Sequence, residues 1–234
     1  MSAATFTSFA VAGGTGGLGH LIASELVAVG AKVAVLTRPD SNSKLPPGAE
    51  ARQVDYSSEA SLLKALEGIE AVVSVLAGAG FAVQTPLADA AKKAGVKLFV
   101  PSEFGLRTSE LSDNSVAGGK GLTIAKKSIS FVGEGHTPVS FTTRPDIARF
   151  TAYTLTHLPL EQLSNATLGV EGDRQSFREL VKIFGEVIED AEKKVEREGL
   201  AAFKGLAHVG EPQNQLVPGF KPLNVPEALK KYFL

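Results

Sequence analysis

Two hydrophobic periods alternate through the first hundred residues. Residues 5–12 form a short apolar run holding Phe6, Phe9, Ala10 and Val11, which predicts a strand. Leu18, Leu21, Ile22, Leu26 and Val29 then recur at helical spacing, and Gly30 stands where a helix C-cap belongs. Residues 32–37, 51–54, 71–76 and 96–100 predict four further strands. Between them, residues 58–66 (Leu62, Leu63 and Leu66 on one side) and 86–94 (stopped by Gly95) read as helices. Strands that are almost continuously apolar, separated by helices, belong to a parallel sheet covered on both faces. The predicted class is α/β, a doubly wound parallel sheet.

The pattern breaks after Gly105. Residues 106–121 are rich in Ser, Asp, Asn and Gly and read as loop. Short strands are expected at 128–132 and 139–142, around a Gly133-Glu134-Gly135 turn, and a helix at 146–155. Ser176 and Glu179 form a capping box before Phe177, Leu180, Val181, Phe184, Val187 and Ile188, so an amphipathic helix is predicted there. Its charged far end, 189–199, reads as solvated, and the Pro- and Gly-bearing stretch past Gly205 as irregular chain. No internal repeat is present.

Composition narrows the functional classes. A chain of 234 residues makes one large domain or a domain with an appendage, and 44% hydrophobic residues exclude wholesale disorder. Zero Cys removes disulfides, thiol catalysis and every Cys-bearing metal site. Four scattered His without carboxylate spacing make no metal site. With 24 Lys plus Arg against 25 Asp plus Glu, the net charge of -1 argues against an electrostatic grip on nucleic acid. The N-terminus lacks a basic start, and no apolar run reaches bilayer length. The expectation is a cytoplasmic protein with no membrane partner.

The candidate chemistry lies in Val11-Ala-Gly-Gly-Thr-Gly-Gly-Leu-Gly19. It holds both G-x-G-x-x-G (Gly14, Gly16, Gly19) and G-x-x-G-x-x-G (Gly13, Gly16, Gly19). It follows a predicted strand and opens a predicted helix, the context a Rossmann dinucleotide site requires. Gly13, Gly14, Thr15, Gly16, Gly17, Leu18 and Gly19 are the candidate pyrophosphate cradle, over the positive end of a helix. Strand two ends at Arg38 rather than an acid, which favours NADP(H) over NAD(H) because a guanidinium matches a 2′-phosphate. Lys44 offers a second charge, or is a plain solvated lysine. Asp55 and Tyr56 end the third strand where an adenine would lie; Asp55 serves equally as an anion for the following helix. Ala77 and Gly78, after strand four, and Ser102, after strand five, fall at the carboxyl edge, on the nicotinamide side, the Ala77–Gly80 stretch serving equally as a plain flexible turn.

Strand five runs into Pro101-Ser-Glu-Phe-Gly105, and 142–150 reads Thr-Thr-Arg-Pro-Asp-Ile-Ala-Arg-Phe. With the glycine motif and Arg38, the chain resembles the NmrA-like / isoflavone reductase-like family of atypical short-chain dehydrogenases, in particular its fungal branch. No Tyr is followed four residues later by Lys, in keeping with an atypical member. The resemblance implies an NADPH-dependent oxidoreductase reducing a small, aromatic or carbonyl/enol substrate, with Lys120 as the acid/base beside the nicotinamide. It equally admits a non-catalytic NADP(H) sensor that binds a regulatory protein partner, or an inactive truncated product. Relative to the family, several tens of residues are missing after Lys120, about one βα unit. The expected consequence is an unpaired edge on strand five or an incompletely covered helical layer, either of which favours association. The expected organisation is a cofactor-binding Rossmann domain at 1–120 and a smaller α/β substrate-side module at 121–234, not an independent domain, in a monomer or homodimer.

Overall fold

The computed structural model describes residues 5–105, 122–125, 128–131, 135–189 and 212–233. The chain divides into two compact units, Met1–Ser102 with Ala148–Thr167, and Glu103–Ile147 with Leu168–Leu234.

In the first unit strands and helices alternate as predicted: β1 (Ser8–Ala12), α1 (Gly17–Ala28), β2 (Lys32–Thr37), β3 (Glu50–Gln53), α2 (Glu59–Ala65), β4 (Ala71–Ser74), a 3₁₀ turn (Gly78–Val83), α3 (Gln84–Lys93) and β5 (Leu98–Val100). The five strands are parallel, in the order β3-β2-β1-β4-β5. Ala10 sits between Ala34 and Val72 in register. The winding of the sheet reverses between β1 and β4, the switch point where such folds take their ligands. β4 is buried throughout and β1 and β2 nearly so, as strands covered on both faces must be. The core cluster sets Ala10, Leu36 and Val72 against Leu62, Leu66 and Leu87. β3 and β5 are the outer strands; β3, Glu-Ala-Arg-Gln, is mostly exposed.

The helix ends follow from sequence. After α1, Gly30 (φ 87°) donates to the Val27 carbonyl at 2.9 Å and Ala31 to Leu26 at 3.0 Å, a Schellman stop. Gly95 (φ 77°) ends α3 in the same way, with Val96 donating to Ala91 at 3.0 Å. Ser58 caps α2 by accepting from the Ser61 N–H.

The second unit contains two antiparallel pairs. β6 (Leu122–Ala125) pairs with β7 (Ser128–Phe131), and β8 (Pro138–Phe141) with β9 (Asp173–Ser176). α6 (Phe177–Glu189) begins at the expected box: Ser176 N–H and Oγ both donate to Glu179 at 2.7 Å, and Glu179 N–H returns to Ser176 Oγ at 3.2 Å. Between β8 and β9 run α4 (Arg144–His157) and the one-turn α5 (Leu160–Leu163), of which Ala148 onward groups with the first unit. Phe141, Leu180 and Phe184 pack with Val225 and Leu229.

Those last two residues mark a correction. The stretch past Gly205 is not irregular throughout, since Val225–Phe233 is a helix, α7. Asn224 and Glu227 form a second capping box, with bonds of 3.1 and 2.8 Å, that starts it. β6 and β9 were also not expected from sequence. The strands predicted at 128–132 and 139–142 both exist, but in different pairs. The charged tail 190–199 lies outside the described residues.

The segment before α7 is held by two carboxylates, Asp146 buried and Asp173 half-buried. Asp146, 0% exposed, accepts from the Thr143 hydroxyl at 2.6 Å and the Leu223 N–H at 3.0 Å. Asp173 accepts from the Val225 N–H at 2.9 Å. Among the described residues, no helix is long and apolar enough to cross a membrane and no His/Cys/Asp/Glu group forms a metal cluster.

Candidate functional site

The glycine turn between β1 and α1 lies at the switch point. Gly13 has φ 81°, and a Cβ there would fall 2.7 Å from the Val75 carbonyl oxygen. A Cβ on Gly14 would meet Val35 Cγ1 at 2.9 Å, and one on Gly19 would lie 2.2 Å from the Gly13 carbonyl oxygen. These three glycines are therefore required by the turn's own packing. Gly19 lets the helix approach the turn backbone, not only the sheet. Gly16 differs: its nearest atom is 3.4 Å away, its backbone is extended and it is exposed.

Gly16 is the N-cap of α1, and it supplies no side chain to cap it. No acid occupies the first turn. The N–H groups of Gly17, Leu18 and Gly19 lie ahead of the helix's own carbonyl ladder. This is an uncapped positive helix end with room above Gly16, the kind of helix end that favours an anion. Thr15 is partly exposed beside it. Leu18 is only 4% exposed, so it offers a backbone N–H and no side chain.

Arg38 follows β2 directly and is exposed, with no hydrogen bond or ion pair on its guanidinium among the described residues. It is close enough to act electrostatically on Tyr56. Burial pushes the Tyr56 hydroxyl up to about 12, and the Arg38 charge pulls the other way. Lys44 is exposed, without an ion pair among the described residues. Asp55 accepts from Ser57 N–H at 2.9 Å and Ser57 Oγ at 2.6 Å, which lowers its pKa and engages it in the turn leading to α2. Tyr56 also lines a cleft of about 760 Å³ between α2 and α3, with Leu62 and Pro86 among its walls and Lys93 paired to Glu59 at 2.7 Å.

At the carboxyl ends of β4 and β5 the loops are tied together. Ala77 and Gly78 are exposed; Gly78 has φ 58° and open space where a Cβ would sit, so it serves the backbone conformation rather than a close contact. The Ser102 hydroxyl donates to the Leu76 carbonyl at 2.7 Å, and the Ser102 N–H to Gln84 Oε1 at 2.8 Å. Sequence reasoning missed Gln84, which falls two residues ahead of the helix predicted at 86–94 but is the first residue of α3. Its only signal was a polar Ser74 in the middle of an apolar strand. Lys120 lies outside the described residues.

A parallel sheet ordered 3-2-1-4-5, with a glycine turn into an uncapped helix beside its switch point, is a Rossmann-type unit. The sequence profile of the NmrA-like family matches residues 7–117, so this stretch of the chain is similar to that family. It is 36% identical over 121 residues to pinoresinol reductase 2 of Arabidopsis thaliana and 40% identical over 97 residues to oxidoreductase aprR of Aspergillus flavus. These matches take in 45% and 41% of this chain, and span only 38% and 33% of the relatives' own length. The solved structure of AtPrR2 with NADP+ and (+)pinoresinol superposes with a TM-score of 0.63 at 26% identity, covering 79% of this chain and 76% of that one. A solved chain from a study of pinoresinol-lariciresinol and phenylcoumaran benzylic ether reductases gives 0.72 at 17% identity, covering 97% and 99%, a likeness of fold alone.

Proposed function

We propose that this protein is an NADP(H)-dependent reductase of a small aromatic substrate. The observation that carries the reading is the uncapped start of α1 at the glycine turn, with the exposed Arg38 guanidinium at the end of the neighbouring strand. The helix end takes the pyrophosphate through the N–H groups of Gly17, Leu18 and Gly19. Arg38 takes the 2′-phosphate bidentately, and Tyr56 lies beside the adenosine half. The AtPrR2 structure, with its NADP+, supports the same cofactor here.

Bound NADPH supplies the hydride; the chain orients it and shields the reacting atoms. Ser102, Leu76 and Gly78 frame the nicotinamide side. Phe81, 51% exposed in the 3₁₀ turn after β4, offers a ring face to an aromatic substrate. Lys120 is the proton donor that the family resemblance implies, a role that requires burial or neighbouring charge to lower its pKa.

Calorimetric titration with NADPH and NADH tests the cofactor, and a panel of aromatic carbonyls, enones and lignans tests turnover. Failure to bind either dinucleotide overturns the reading. Binding of NADPH without turnover of any panel member replaces the reductase by a non-catalytic NADP(H)-binding protein. Lys120→Ala is expected to lose turnover while keeping NADPH affinity.

A further inference from the structure

The exits of β4 and β5 meet at one side chain. Gln84, the first residue of α3, accepts at Oε1 from both Ser74 Oγ and the Ser102 N–H, each at 2.8 Å. Ser74 is 0% exposed, so its hydroxyl needs an acceptor and finds it here. A backbone N–H only donates, which fixes the amide orientation: the oxygen faces Ser74 and Ser102. Ser102 returns a bond to the segment leaving β4, its hydroxyl donating to the Leu76 carbonyl at 2.7 Å.

The other side of the same stretch bears on the glycine turn. The Val75 N–H donates to the Ala12 carbonyl at 2.8 Å, and the Val75 carbonyl oxygen lies 2.7 Å from where a Gly13 Cβ would be. Residues 74–76 are clamped between the turn that faces the pyrophosphate and the loop that follows β5. Ligands of open α/β sheets lie outside the strand carboxyl ends at the switch point, here β1 and β4. These residues therefore floor the part of the site just past the pyrophosphate.

We propose that Gln84 is a positioning residue for the nicotinamide half of the cofactor, its amide oxygen setting the spacing of the β4 and β5 exits on which that half rests. This rests on the NADP(H) reading above. Both partners of Oε1 are donors, so the role needs an acceptor and not an amide as such. Gln84→Glu keeps it, and Gln84→Met, of similar length, removes it.

The test compares NADPH with adenosine 2′,5′-bisphosphate, which lacks the nicotinamide half, by calorimetric titration of wild type and both variants. Gln84→Met is expected to weaken NADPH about tenfold, the scale of one well-placed polar interaction, and to leave the bisphosphate within about twofold. Gln84→Glu is expected to restore most of the NADPH affinity. Equal losses for both ligands, no loss for NADPH, or no rescue by Glu overturns the proposal while the NADP(H) reading stands. A wild-type protein that binds neither ligand overturns that reading and the proposal with it. Should Gln84→Met fail to fold, Ser74→Ala removes one of the two donors, and a selective NADPH loss supports, or an unselective one overturns, the same assignment.

Discussion

A methyl group on Gly19 would place its carbon 2.2 Å from the Gly13 carbonyl oxygen and 2.8 Å from the carbonyl carbon. Both contacts are with backbone, so relief requires opening the turn. Gly19→Ala is expected to lower stability by about 2–3 kcal/mol, the scale of an overpacked site, measured by urea unfolding. Gly16→Ala meets its nearest atom at 3.4 Å and should leave the midpoint almost unmoved. Its methyl would intrude above the helix end, so NADPH affinity should fall while stability holds.

Arg38 has no partner of its own to lose among the described residues. Arg38→Ala should change stability by no more than about 0.5 kcal/mol, as exposed substitutions do. NADPH binding should weaken by about 2 kcal/mol, the value of charge-assisted bonds to one phosphate, with NADH unaffected. Calorimetry with the two dinucleotides reads this directly, and equal losses would place the 2′-phosphate elsewhere.

Asp146 is fully buried and accepts from Thr143 Oγ and the Leu223 N–H. Asp146→Ala strands the Leu223 N–H and frees the segment leading into α7. The expected cost is about 2–3 kcal/mol in urea unfolding. Limited proteolysis should cut near residue 223 sooner than in wild type, and unchanged cleavage would show that Asp146 does not hold that segment.

Glu70 links the first strand to the fifth. Its carboxylate accepts from Thr7 N–H at 2.8 Å, Thr7 Oγ at 3.0 Å and Lys97 Nζ at 3.0 Å. The Thr7 N–H, then Lys97, hold its pKa at about 2, below the ordinary 4.5. The folded value is the lower one, so the stabilisation is complete above pH 4.5 and is lost as pH falls toward 2. Its size is about 2 kcal/mol once solvent screening of a side chain 27% exposed is allowed for. Glu70→Gln should flatten that limb of the stability–pH curve, followed by urea midpoints from pH 5 to about pH 2.

The first unit was legible because its strands are buried on both faces and its helices carry explicit stops. Val33–Leu36 and Ala71–Val73 announce themselves by apolar continuity, and Gly30 and Gly95 by left-handed turns. The glycine motif, Arg38 and Tyr56 were readable from order along the chain, since each follows a strand at its carboxyl end. β9 was not: Asp-Arg-Gln-Ser carries no apolar signal and is a strand because β8 offers it a ladder. α7 was hidden behind Pro and Gly, although its Asn-x-x-Glu box was there to be read. Gln84 was invisible for another reason. Its significance is a pair of bonds spanning 10 and 18 residues, and no local pattern encodes those.

The packing of Phe141, Leu180 and Phe184 against Val225 and Leu229 has a consequence for synthesis. Two sides of that cluster emerge from the ribosome some forty residues before the third. Until Leu229 has been added, the nascent chain carries an apolar face with nothing to bury it, the kind of surface that recruits chaperones or aggregates. A premature stop codon just before Val225 would spare every residue proposed to face the cofactor and still yield a product the cell is prone to degrade.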